Sequence, residues 1–93
     1  MRRTPSNLLR HELVGLDVRV IDHPSRSLIG ASGKVIYETK KTLHVADLSG
    51  KVRIIPKEHG KFLFKLGSKT TVRVNGSRLI GRPEERLKRV RRN

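Results

Sequence analysis

Short runs of alternating apolar and polar residues, separated by turn residues, fill the chain between residues 16 and 80. Leu16, Val18 and Val20 alternate with Asp17 and Arg19, the period-two pattern of a strand with one covered face. Residues 22–32, with His23-Pro24, three serines and Gly30, read as a loop of about ten residues. Gly30 and Gly33 then lead into residues 34–39, rich in β-branched and aromatic side chains. Lys40-Lys41 is a polar break, and residues 42–48 form the returning strand of a hairpin. Lys-Lys is not the Asn-Gly or Asp-Gly pair that type I′ turns prefer, so this hairpin is read from its flanks. Residues 47–51 mark the next turn, and Val52, Ile54 and Ile55 give a β segment ended by Pro56. A polar connection over residues 57–60 precedes Lys61–Leu66, which holds both phenylalanines. Residues 70–74 follow, and Asn75-Gly76 predicts a hairpin returning into Leu79-Ile80.

The two ends read differently. Thr4-Pro5 is a good helix start, and residues 7–14 place Leu9 and Leu13 one turn apart, with Leu8 and Val14 widening the apolar face and Gly15 as the stop. This short helix either covers one end of the β region or docks a partner protein. From Pro83 the chain is helix-compatible. Glu84 and Glu85 lie near the positive end of the macrodipole, and Lys88, Arg89, Arg91 and Arg92 near the negative end. Only Leu87 and Val90 could face a core, so this tail is expected to fray alone and order on a partner. The organisation is an N-terminal segment (1–15), a β domain (16–81) and a basic C-terminal helix or tail (82–93). Five to six short strands with no βαβ alternation imply a mainly β fold, a small antiparallel Sm-like or SH3-like barrel with short N- and C-terminal helices.

Composition narrows the function more than the fold. A chain of 93 residues allows one domain with a thin core and no deep substrate cavity. Lys and Arg outnumber Asp and Glu 22 to 8, a net charge of +14, which points to a polyanionic partner. With no cysteine there is neither a disulfide framework nor a thiolate zinc site. No apolar run approaches the ~20 residues of a membrane span, and Arg10, His11 and Glu12 interrupt the N-terminal leucines. A soluble, cytoplasmic protein, monomeric when isolated and free of membrane, is the expectation.

Eleven of the net positive charges lie after Gly50. Arg82, Arg86, Arg89 and Arg92 recur at helical spacing and would align along one face toward phosphates. Aromatics are limited to Tyr37, Phe62 and Phe64, and the phenylalanines read as core, so a stacking platform is missing. Backbone and shape recognition of a structured RNA remains. A nuclease site is not supported. His11, His23, His44 and His59 have no metal-ligand spacing, and no Asp-x-Asp or His-x-Glu element is present. His44 reads as an outward-facing polar residue, and Glu38 as a surface ion-pair partner of Lys40 or Lys41.

Four elements together resemble the archaeal ribonuclease P protein component 1 family, counterpart of a eukaryotic subunit shared by ribonucleases P and MRP. They are the run from Asn7 to Leu16, the hairpin from Gly33 to Leu43, Lys61-Phe62-Leu63-Phe64, and the run from Gly81 to Arg86. The resemblance implies an Sm-like barrel acting as a non-catalytic, RNA-binding subunit of the ribonucleoprotein that removes 5′ leaders from precursor tRNA. In that family the RNA is the catalyst, magnesium serves the RNA, and this chain binds no cofactor of its own. The implied partners are the ribonuclease P RNA, precursor tRNA indirectly, and a small zinc-ribbon protein subunit. Charge and resemblance together nominate Lys34, Lys40, Lys41, Arg53, Lys61, Arg82, Arg86 and Arg89 for RNA contact. Leu8, Leu9, Leu13, Leu87 and Val90 are the candidates for docking the protein partner. An SH3-like ribosomal or RNA-chaperone protein fits barrel and charge equally well, and a small chromatin-type DNA binder is a third reading.

Overall fold

The computed structural model describes residues 13–81, and the alternation of the sequence becomes one six-stranded antiparallel sheet. The strands are β1 (Asp17–Asp22), β2 (Ser32–Glu38), β3 (Thr42–Ala46), β4 (Val52–Pro56), β5 (Lys61–Leu66) and β6 (Thr70–Asn75). Their order across the sheet is β4-β3-β2-β1-β5-β6. A 3₁₀ turn at Arg26–Leu28 lies in the first loop and another at Gly76–Leu79 follows β6. Each strand turns one set of alternating residues inward. Val18, Val20, Val35, Leu43, Val45, Ile55, Phe62, Phe64 and Val74 meet there with Leu13 and Leu79. Full burial of each large apolar side chain contributes about 1.5–3 kcal/mol, so the two phenylalanines weigh heavily in so small a core.

The sheet curls until the ends of its outer strands meet. Beyond β6, the Gly76 N–H donates to the Gly60 carbonyl (2.7 Å), and the Gly76 Cα lies so near the Lys57 carbonyl oxygen that no side chain could be accommodated. On the other flank, buried His23 accepts from the Ser25 N–H at Nδ1 (3.0 Å) and donates from Nε2 to the Pro56 carbonyl (2.9 Å). The loop after β1 is thereby fastened to the end of β4. Pro56 is tolerated because β4 is an edge of the hydrogen-bonded ladder.

One sequence reading of the fold changes. Asn75-Gly76 does not turn a hairpin into a strand at Leu79-Ile80: Asn75 ends β6 in extended conformation and a 3₁₀ turn follows. Glycine is required there for close backbone approach rather than for a positive φ. The helix expected over residues 7–14 lies outside the described residues except at its end, where Val14-Gly15 form a turn. The expected C-terminal helix also lies outside them. Among the described residues, no helix is long and apolar enough to cross a membrane.

Candidate nucleic-acid interface

Strand register gathers the basic side chains. Outward-facing residues of neighbouring strands align in rows: Lys34 of β2 beside Asp17 of β1, then Lys65 of β5 and Thr71 of β6. The adjoining row runs Ser32, Arg19, Leu63, Arg73, and the next pairs Asp22 with Lys61 and Asn75. Lys34, Arg19, Lys65 and Arg73 are exposed and Lys61 is half-buried, so five cations share one face with only Asp17 and Asp22 among them. Neighbouring strands lie about 5 Å apart, inside the ~10 Å screening length at 0.1 M salt, so the charges act as one positive field. Such a field binds phosphates and releases counterions.

The outer surface further along β2, with β3 and β4, has another character. A register shift between Val35 and Tyr37 leaves both Ile36 and Tyr37 exposed, and the row Tyr37, His44, Ile54 crosses β2, β3 and β4. Tyr37 and His44 meet edge to face, with ring centroids 5.1 Å apart.

Between the faces lies a buried ion pair. Lys57 is wholly buried, and its Nζ donates to the Glu38 carboxylate at 2.7 Å and to the carbonyls of Thr39 (2.8 Å), Gly81 (3.1 Å) and Lys40 (3.4 Å). The other Glu38 oxygen accepts from the Leu13 N–H at 3.4 Å. One ammonium thus joins the start of the described chain, the tip of the β2–β3 hairpin, the end of β4 and the start of the C-terminal segment. The Gly81 N–H closes the set by donating to the Lys40 carbonyl at 2.7 Å. This corrects one expectation, since Glu38 pairs with Lys57 rather than with Lys40 or Lys41, and it places Lys57, within the polar connection 57–60, in the interior. Hairpin geometry explains it. Thr39 and Thr42 close the turn between themselves, through the Thr42 N–H to the Thr39 hydroxyl (3.0 Å) and between the two hydroxyls, and Lys40 and Lys41 project outward to solvent.

Of the nominated residues, Lys34 and Lys61 belong to the basic face, while Lys40 and Lys41 sit on the hairpin tip held by Lys57. Arg53 shares the inward side of β4 with Ile55 and is half-buried, its guanidinium 3.5 Å from the Ser27 carbonyl. Leu13, expected on a docking face, is instead a core residue with no exposed surface, because its N–H is drawn to Glu38 and its side chain into the barrel. Leu8, Leu9, Leu87, Val90, Arg82, Arg86 and Arg89 lie outside the described residues. Arg19, Lys65 and Arg73 were not singled out from sequence, although each sits between two apolar residues of an alternating run, the period-two signature of an outward-facing position. Among the described residues, no group of three or more His, Asp or Glu side chains could hold a metal ion.

Comparisons with known proteins identify the family. The family model described as ribonuclease P/MRP, subunit p29, matches residues 6–89. Ribonuclease P protein component 1 of Methanocaldococcus jannaschii is 49% identical over 87 residues, covering 92% of this chain and 90% of that protein. The protein of the same name from Staphylothermus marinus is 44% identical over 90 residues, covering 97% and 98%. The solved structure of Mth11, described as a homologue of human RNase P protein Rpp29, superposes with a TM-score of 0.61 at 37% identity, covering 81% of this chain and 96% of that one.

Proposed function

The chain belongs to the ribonuclease P/MRP subunit p29 family, and from that premise we propose that it holds the ribonuclease P RNA through the outer face bearing Lys34, Arg19, Lys65, Arg73 and Lys61. It is a protein subunit of ribonuclease P, in which the RNA performs the cleavage that removes the 5′ leader of precursor tRNA. Its own contribution is electrostatic and geometric. Five cations on a rigid sheet cost little ordering entropy on binding, and they neutralise phosphates that would otherwise repel one another where RNA segments pack closely. The apolar outer face of β2, β3 and β4 carries no lysine or arginine along the Tyr37, His44, Ile54 row, and we assign contact with a zinc-ribbon protein subunit to that side together with the terminal segments. The assembly works in the cytoplasm with magnesium bound by the RNA.

The family match over residues 6–89 carries this reading, and the clustered cations give it a surface. Reconstituting ribonuclease P with and without this chain tests it. Omission is expected to slow precursor-tRNA cleavage and raise the magnesium concentration required. Unchanged cleavage at unchanged magnesium would overturn the reading.

A further inference from the structure

On the basic face a groove of about 380 Å³ runs between β1, β2 and β5, and its lining includes Asp17, Arg19, Gly33, Leu48, Leu63 and Lys65. That volume lies within the ~300–1,000 Å³ of small-ligand sites. Three features need a common explanation. Leu48, beyond the end of β3, is fully exposed, and across the groove Leu63 is only half-buried between Arg19 and Arg73. Asp17 stands between Lys34 and Lys65 in the cross-strand register, yet among the described residues it makes no ion pair. A carboxylate there weakens a field that otherwise favours phosphate, a cost without purpose if the face binds backbone alone.

Resting on the RNA reading above, we propose that this groove receives one unpaired guanine of the bound RNA. The base lies between Leu48 and Leu63, its phosphates meet Arg19 and Lys65, and the Asp17 carboxylate accepts from its Watson–Crick edge. The choice of base follows from donor patterns. An ionised carboxylate only accepts, through two adjacent oxygens. Guanine presents two adjacent donors, N1–H and N2–H, whereas adenine and cytosine place one amino donor beside a ring acceptor, and uracil flanks its single N–H with carbonyls. Recognition of unpaired bases by their edges and apolar contact to their faces is the usual way proteins read RNA sequence.

The test uses the full chain and RNA hairpins that differ at a single unpaired loop nucleotide. The guanine hairpin is expected to bind roughly tenfold tighter than the adenine hairpin, one good edge contact. Asp17→Asn should bring that ratio close to one while strengthening binding of the adenine hairpin. Leu48→Ser should weaken guanine binding several-fold without changing the salt dependence, whereas Lys65→Ala should lower the log–log salt slope by about one. Asp17 and Leu48 are exposed, so both variants should keep the parent's unfolding midpoint. Equal binding of all hairpins by the parent, or an unchanged preference in both Asp17→Asn and Leu48→Ser, would overturn the guanine site while leaving salt-dependent RNA binding intact. Absence of salt-dependent binding to any hairpin would remove the RNA reading together with it.

Discussion

Removing the Glu38 carboxylate should destabilise the barrel more than any surface substitution. Its side chain is 2% exposed and that of Lys57 0%, at an N–O distance of 2.7 Å. Breaking one partner of a buried pair costs about 3–5 kcal/mol, a large share of the roughly 5–15 kcal/mol by which a domain is stable. The geometry also orders the variants. In Glu38→Ala the ammonium keeps the Thr39 and Gly81 carbonyls at 2.8 and 3.1 Å, so the loss should fall at the low end, about 3 kcal/mol. In Lys57→Met those carbonyls and the one at Lys40 lose their shared donor, and the carboxylate stays buried beside the Leu13 N–H. That loss should approach about 5 kcal/mol. A double variant, Lys57→Met with Glu38→Leu, buries no charge and should cost less than the sum of the single losses. Urea unfolding followed by circular dichroism measures all three. For a chain of this size about 3 kcal/mol corresponds to a melting point lower by roughly 12 °C or more. Single losses below about 1 kcal/mol, or strictly additive ones, would refute the reasoning.

Three further outcomes can be checked directly. Gly76→Ala drives a methyl into the Lys57 carbonyl and Gly33→Ala drives one into the Ala46 carbonyl, so each should lose about 1–3 kcal/mol or more in the same unfolding assay, whereas Gly67→Ala, with open space around it but a left-handed backbone at φ +79°, should lose about 1–2 kcal/mol from that conformation alone. The Asp47 carboxyl is held below the usual aspartate range, chiefly by the Ser49 hydroxyl and then by the Lys51 and Ser49 backbone N–H groups, with Arg53 adding a smaller effect. With the folded value below the unfolded one, its contribution is complete above the unfolded value and disappears as pH falls through the folded value; Asp47→Asn should therefore flatten the acid limb of the stability–pH curve below about pH 4. Replacing Arg19, Lys65 or Arg73 by Ala should each reduce the log–log salt slope of RNA binding by about one, while Arg53→Ala, whose guanidinium sits near the Ser27 carbonyl, should change it less.

Period-two alternation carries across to the structure because it records which face of a strand meets the core. Leu16 to Val20, the hairpin of β2 and β3, and the paired phenylalanines of β5 are legible for that reason, as is the mainly β class. Close approach leaves no such trace. Gly76 has the same letter whether it turns a hairpin or lies against a carbonyl oxygen, so Asn75-Gly76 points to the wrong structure. Lys57 is the harder case. A lysine among Pro56, Glu58 and His59 has the composition of a surface turn, and only the return of residues 38–40 and 81 to the same point supplies acceptors enough to bury its charge. The basic face was half legible: the excess of charge is plain from the sequence, but the alignment of Arg19 with Leu63 and Arg73 depends on a pairing of β1 with β5 that no local pattern announces.

The Lys57 clasp bears on how such a subunit joins an assembly. Leu13 and Gly81, where the described chain begins and ends, are both tied to the Glu38–Lys57 pair, and the Lys40-Lys41 tip is held by the same ammonium. A contact made through either terminal segment therefore acts on a group already fixed by a buried charge, and the hairpin tip shares that constraint. A hydrophobic replacement could match the stability of the pair, but it would supply no donor for the three carbonyls that converge there. The ion pair accordingly does what apolar packing cannot: it specifies where three separate backbone segments meet, and so fixes the backbone of the hairpin tip that carries Lys40 and Lys41.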